Sequence, residues 1–244
     1  MLIDAHCHID AYPQPALALE TGEAAGISTV AVTTSLASYV RTRVLCRHHP
    51  QVRVALGLHP RRLDGASDQW PVWEQVLATA PLVGEAGLDF QDNTEENRKA
   101  QIRILERIAE ACAKRKRALV LHSRYGEAEA WDIITAQQVQ WVIWHGYRPE
   151  APRSLLYRAI EAGHFLSIGP ASLRDARLRE RLRAIPREQI LTETNGPWGC
   201  PEADERAAAL RETVAGLADI WRCSPEEAEA QVERNFNRII GAGA

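Results

Sequence analysis

Eight short apolar runs, each followed by a longer amphipathic stretch, leave this chain few folds to choose from. The runs cover residues 2–8, 29–34, 53–59, 82–89, 118–122, 139–145, 165–169 and 190–195. They are rich in Val, Ile, Leu and Ala and are often continuous rather than alternating, as strands buried on both faces should be. Helical periodicity occupies residues 15–25, 38–48, 95–115, 153–162, 173–183, 202–221 and 225–235. Eight strands alternating with helices predict an α/β fold, a (β/α)8 TIM barrel, as one domain over residues 1–244. An open doubly wound sheet is the competitor. Eight runs are too many for it, and no Gly-x-Gly-x-x-Gly follows the first run.

Composition narrows the class. Hydrophobic residues make up 45% and charged residues 25%, which is ordinary for a folded, soluble domain and excludes a disordered or low-complexity chain. No run approaches the roughly 18 apolar residues of a bilayer span, so no membrane partner is expected. The start, Met1 to His6, lacks a basic and then apolar leader pattern, so no secretory signal is expected. Five scattered cysteines without Cys-x-x-Cys spacing suit reduced thiols and a cytoplasmic location. The net charge of −3 excludes a bulk polycation that coats nucleic acid.

Histidine placement points to chemistry. Of eight histidines, His6, His8, His59, His122 and His145 fall at or near the C-terminal ends of apolar runs, the rim where a barrel builds its active site. His6 and His8 are two apart and share one face of a strand, with Cys7 turned to the helices. Paired imidazoles suit a divalent transition metal. Glu85, in Gly84-Glu85-Ala86-Gly87-Leu88-Asp89, is a carboxylate in an apolar strand and needs a cation, either a metal or an arginine. The last run ends Thr192-Glu193-Thr194-Asn195-Gly196-Pro197, where alternation places Glu193 and Asn195 on one face. The rim set His6, His8, Glu85, His122, His145 and Asn195 could hold two metals that activate water and grip a leaving oxygen.

These motifs resemble the TatD family of metal-dependent hydrolases, within the amidohydrolase-like barrels, over nearly the whole chain. His6-Cys7-His8, Gly57-Leu58-His59-Pro60, the Gly84–Asp89 segment, His122-Ser123-Arg124, His145 and Glu193-Thr194-Asn195-Gly196-Pro197 arrive in the family order. The resemblance implies two divalent metals. His6, His8, Glu85 and Asn195 would hold one, and Glu85, His122 and His145 the other. Histidine plus carboxylate suits Zn, Mn, Ni or Fe, and Mg less well. Within the family, Ala31-Val32-Thr33-Thr34, Ser167-Ile168-Gly169-Pro170 and the short length are similar to the TatD-like component of Qat anti-phage defence operons. That similarity implies protein partners encoded in the same operon.

Two positions depart from the family. Asn195 stands where the family has an aspartate that ligates a metal and handles the proton of the attacking water. An amide can offer a carbonyl oxygen but cannot accept a proton near neutral pH. Asn195 reads as an introduced inactivating change, as natural with other groups carrying the chemistry, or as the mark of a subunit that binds without turnover. Glu193 is the candidate substitute base. At the sixth strand His145-Gly146-Tyr147-Arg148-Pro149 replaces the family's His-Cys-Phe-Ser/Thr-Gly, a change that bears on substrate choice.

The arginines suggest the substrate. Only three of the 29 basic residues are lysines. Arg61, Arg62, Arg124, Arg148 and Arg153 follow apolar runs and belong to the rim, where Arg124 and Arg148 could grip phosphate. His59 is a further substrate contact, and Trp198 could stack on a base. The leading expectation is a nuclease cleaving a phosphodiester of DNA or RNA, with nucleic acid or a nucleotide as partner. An amide, lactone or modified-nucleobase hydrolase on the same two-metal site is one alternative. A catalytically impaired subunit of a defence complex is the other.

Overall fold

The computed structural model describes residues 1–63, 66–91, 93–148 and 150–242, so Pro149 of the altered loop lies outside the described residues. Among them, eight parallel strands pair in sequence order into a nearly closed barrel. They are β1 (Leu2–Cys7), β2 (Ile27–Ala31), β3 (Val52–Leu58), β4 (Leu82–Asp89), β5 (Ala118–Arg124), β6 (Val142–Trp144), β7 (Phe165–Ile168) and β8 (Ile190–Thr192). The helices around it are α1 (Pro15–Ala24), α2 (Leu36–Leu45), α3 (Ala66–Leu77), α4 (Glu95–Arg115), α5 (Glu127–Ala136), α6 (Arg153–Glu161), α7 (Pro170–Arg174), α8 (Ala176–Leu182), α9 (Arg206–Trp221) and α10 (Pro225–Ala242).

Local chemistry explains the helix ends. Ser35 and Ser38 form a reciprocal capping box that starts α2. Thr94 caps α4, with Glu95 and Glu96 at its positive end. Lys114 and Arg115 lie in its last turn, before Lys116 turns left-handed. The periodicity did not indicate α3, which carries Pro71 inside it, or α5.

Two irregularities in the ladders position the site. Between β1 and β2 the register runs Asp4↔Thr29 and then Cys7↔Ala31, so β1 spends three residues where β2 spends two. This bulge reverses the pleat. Before it, Leu2 and Asp4 turn to the helix layer: Leu2 packs with Leu210 and Val214 of α9, and Asp4 pairs with Arg206 at the head of α9. After it, His6 and His8 turn inward. Strand β4 has the same extra residue against both neighbours, Leu56↔Val83 then Leu58↔Ala86 on one side and Val83↔Leu119 then Ala86↔Leu121 on the other. The extra residue falls at Gly84-Glu85, where the Glu85 amide donates to Thr33 O at 3.0 Å. A side chain at Gly57 would bring its Cβ to 1.6 Å from that same oxygen, which is why only glycine fits there.

Strand β8 stops at Thr192, and the barrel seam is stitched beyond it. The Asn195 amide donates to His6 O at 2.9 Å and the His8 amide to Gly196 O at 2.8 Å. Thr194 donates to Asp4 from its amide at 2.9 Å and from its hydroxyl at 2.7 Å.

Candidate metal centre

Glu85 organises the barrel mouth. It is buried, and its two carboxylate oxygens face different imidazoles. Oε2 lies 3.2 Å from His8 Nε2 and 3.7 Å from His6 Nε2. Oε1 lies 3.0 Å from His145 Nε2 and 3.6 Å from His59 Nε2, and in contact with His122 Nδ1. No arginine pairs with it among the described residues.

The imidazoles also face one another. His6 Nε2 and His8 Nε2 are 3.2 Å apart, and His122 Nδ1 and His145 Nε2 are 3.3 Å apart. His6 and His145 stack with centroids 3.7 Å apart. Three groups of donors lie close enough to share an ion: His6, His8 and Glu85; His59, Glu85 and His122; and His6, His145 and Glu193, each with its atoms within 4.8 Å of one another. His6 Nδ1, His122 Nε2 and His145 Nδ1 are buried without a hydrogen-bond partner. Nitrogens converging on a shared, buried carboxylate fit divalent metals.

Carboxylates stand behind two of these rings. His122 Nε2 is 3.6 Å from Asp89 Oδ2, and His145 Nδ1 is 3.7 Å from Glu193 Oε2. Carboxylates in this position orient metal-binding imidazoles. Glu193 is itself anchored: Oε1 accepts from the Gly146 amide at 3.0 Å and Oε2 from the Ser167 hydroxyl. Asp89 is held by Arg61, Nη2 to Oδ1 at 3.2 Å.

The electrostatics are those of a tightly coupled cluster. Burial works to raise the Glu85 pKa, but the facing imidazoles of His122, His145 and His6 outweigh it and hold the carboxyl well below the usual range. Burial works to lower His145, yet Glu85 and Glu193 carry it up to about 10. Burial, with His145 next, drives His6 well below the ordinary histidine value. Burial pushes His59 down to about 4. His59 Nδ1 accepts the Arg61 amide at 3.1 Å, so Nε2 carries the ring proton and presents it to the mouth.

The structure therefore brings together His6, His8, His59, Glu85, His122, His145 and Glu193. Asn195 joins them through its backbone, which adopts a left-handed φ of 49° and is held between His6 O and the Gly199 amide. Because the strand has already ended, the pleat does not set its side chain on the face of Glu193. Trp198 stands edge-on to His8 with centroids 4.4 Å apart. Arg148 pairs with Glu127 at 3.4 Å, and Arg124 Nε is buried without a partner. The sequence reading assigned no role to Asp89, although it lies four residues beyond Glu85 on one strand, nor to Tyr125.

The chain is similar to known proteins along nearly its whole length. The profile of the TatD related DNase family matches residues 3–241. The chain is 30% identical to "Uncharacterized metal-dependent hydrolase TatD" of Mycobacterium tuberculosis, over 99% of this chain and 98% of that protein. It is 25% identical to "Deoxyribonuclease TATDN3" of Homo sapiens, over 98% and 94%. The fold matches YjjV, a TatD homologue from Escherichia coli K12, with a TM-score of 0.83 at 23% identity over 98% of this chain and 97% of that one. With the family profile spanning the barrel and every ordered motif, the chain belongs to the TatD-related DNase family of metal-dependent hydrolases.

Proposed function

We propose that the protein is a phosphodiesterase acting on DNA or RNA with two divalent cations at the barrel mouth. The division of Glu85 carries this reading, with one oxygen toward His6 and His8 and the other toward His122 and His145. The first group, together with the side-chain amide oxygen of Asn195, would hold one cation, and the second group the other. Cations bound there supply Lewis acidity toward a phosphoryl oxygen and lower the pKa of water.

The chain's own residues do the rest. His59 Nε2–H donates to a substrate oxygen. Arg124 and Arg148 bind the phosphate backbone. Glu193 fixes the tautomer and direction of His145: it stands behind that ring, with Oε2 3.7 Å from Nδ1, and is held there by the Gly146 amide and the Ser167 hydroxyl. A human relative named a deoxyribonuclease supports the substrate class. The similarity to Qat TatD-like proteins supports a role in anti-phage defence beside operon-encoded partners. Five unpaired cysteines suit the cytoplasm.

Asn195 favours a second reading, a subunit that binds without turnover, since its amide cannot take a proton. Elemental analysis after loading with manganese or zinc and desalting, paired with oligonucleotide hydrolysis, tests the main reading. Two metals per chain and hydrolysis lost in the double variant His6→Ala/His8→Ala are expected. No retained metal, or hydrolysis that survives the double variant, overturns it.

A further inference from the structure

Two aromatic side chains stand exposed on opposite sides of the mouth. Trp198 is 64% exposed and rests edge-on against His8, at the end of β1. Tyr125 is 56% exposed and follows β5 directly. In a barrel of eight strands in sequence order, β1 and β5 are diametrically opposed. The Glu85 cluster draws on β1, where Trp198 meets His8, and on β5, which Tyr125 follows, so both rings belong to elements that supply it.

Tyr125 is held where it is. Its backbone takes a left-handed φ of 59°, unusual for a bulky residue. The Arg148 guanidinium covers one ring face at 4.8 Å from the centroid and is itself paired to Glu127. Arg124 sits 6.0 Å from the same ring, at the limit of such a contact, with its buried Nε lacking an acceptor. A large exposed aromatic in a strained backbone position costs stability and gains nothing from burial. Beside it, an idle guanidinium donor asks for an anion. Ring plus guanidinium is the recognition pair for a base and its phosphate.

We propose that Tyr125 and Trp198 are two base-stacking platforms that bracket the metal cluster, so that the nucleic acid crosses the mouth with an unpaired base on each side of the central phosphate. This rests on the nucleic-acid reading above and deepens it. Arg124 and Arg148 take the phosphate on the Tyr125 side. Bases paired inside a duplex cannot present their faces to the two rings.

Binding tests this without requiring turnover. The metal-loaded protein is titrated into a fluorescein-labelled, phosphorothioate-linked decathymidylate, its abasic counterpart and a blunt, fully paired duplex. Tyr125→Asn removes the ring while suiting the left-handed backbone. We expect it to weaken the base-bearing strand about tenfold, with Trp198→Leu doing the same and Tyr125→Trp restoring affinity. The abasic strand and the duplex should bind all variants alike. Equal affinity of Tyr125→Asn and wild type for the base-bearing strand overturns the proposal. So does an equal loss on the abasic strand, or a wild-type protein that binds neither. If the expected pattern appears in a protein that hydrolyses nothing, the platforms stand and the hydrolase reading falls.

Discussion

Arg206 Nη2 donates to Asp4 Oδ2 at 2.9 Å, joining residues 202 positions apart at the barrel seam. The pair is fully buried and fully satisfied. Arg206 also donates to Ala18 O at 3.0 Å and Thr29 Oγ1 at 2.8 Å, while Asp4 accepts from Thr194. Four elements and the loop after β8 meet in this network, and its far end is the residue before Asn195. Arg206→Met leaves Asp4 charged and buried, so a loss of about 3–5 kcal/mol is expected in urea melts. The double variant Asp4→Leu/Arg206→Met should recover most of it, because no uncompensated charge remains. A single variant as stable as wild type would show that water reaches the seam.

His164 makes stability depend on pH. Burial pushes it down to about 4, and its Nδ1 accepts from Trp144 Nε1 at 3.1 Å. An unfolded chain titrates it near 6.5. Above that pH neither state binds the proton, and the residue has no pH effect. As pH falls from about 6.5 through about 4, the unfolded state takes up a proton that the folded state refuses. Stability then drops by roughly 3 kcal/mol in all. Urea melts at pH 7.5 and 4.5 should show a smaller difference in His164→Gln than in wild type.

Glu193→Gln removes the charge behind His145 while keeping the shape. Metal affinity should fall about 10- to 100-fold, as is usual when the carboxylate behind a ligating imidazole is lost. Competition with a fluorescent chelator measures it. Unchanged affinity combined with lost turnover would return Glu193 to the proton-acceptor role.

Asn195→Asp adds a formal negative charge at the residue whose amide meets His6 O, and a group able to take a proton. Metal affinity should rise by about tenfold, and oligonucleotide hydrolysis should rise with it if the remaining groups are intact. Tighter metal without faster hydrolysis would support the binding-only reading.

Much of the site was legible because barrel chemistry collects at strand ends, and five histidines and Glu85 mark those ends directly. Less of the scaffold was. The sixth run begins at 139 by apolar character, yet Val139 still bonds back to Ile134 of α5 and the strand holds only Val142–Trp144. Helix α3 hides behind Pro71. Strict alternation would put Asp4 on the face of His6, so its pairing with Arg206 was invisible until the bulge in β1 separated them. The arginines of α7 and α8 mostly pair on the outside, Arg174 with Glu212 and Arg179 with Asp219, while Arg181 reaches inward to Ala151 O at 3.0 Å.

That single extra residue in β1 gives the strand two independent phases. Its first half is in step with the helix layer, where Leu2 and Asp4 meet α9. Its second half is in step with the barrel axis, where His6 meets Glu85. One strand thus serves two layers, and the join between them is the place where losing one residue would turn the imidazole away from the mouth while sparing the pairing with β2.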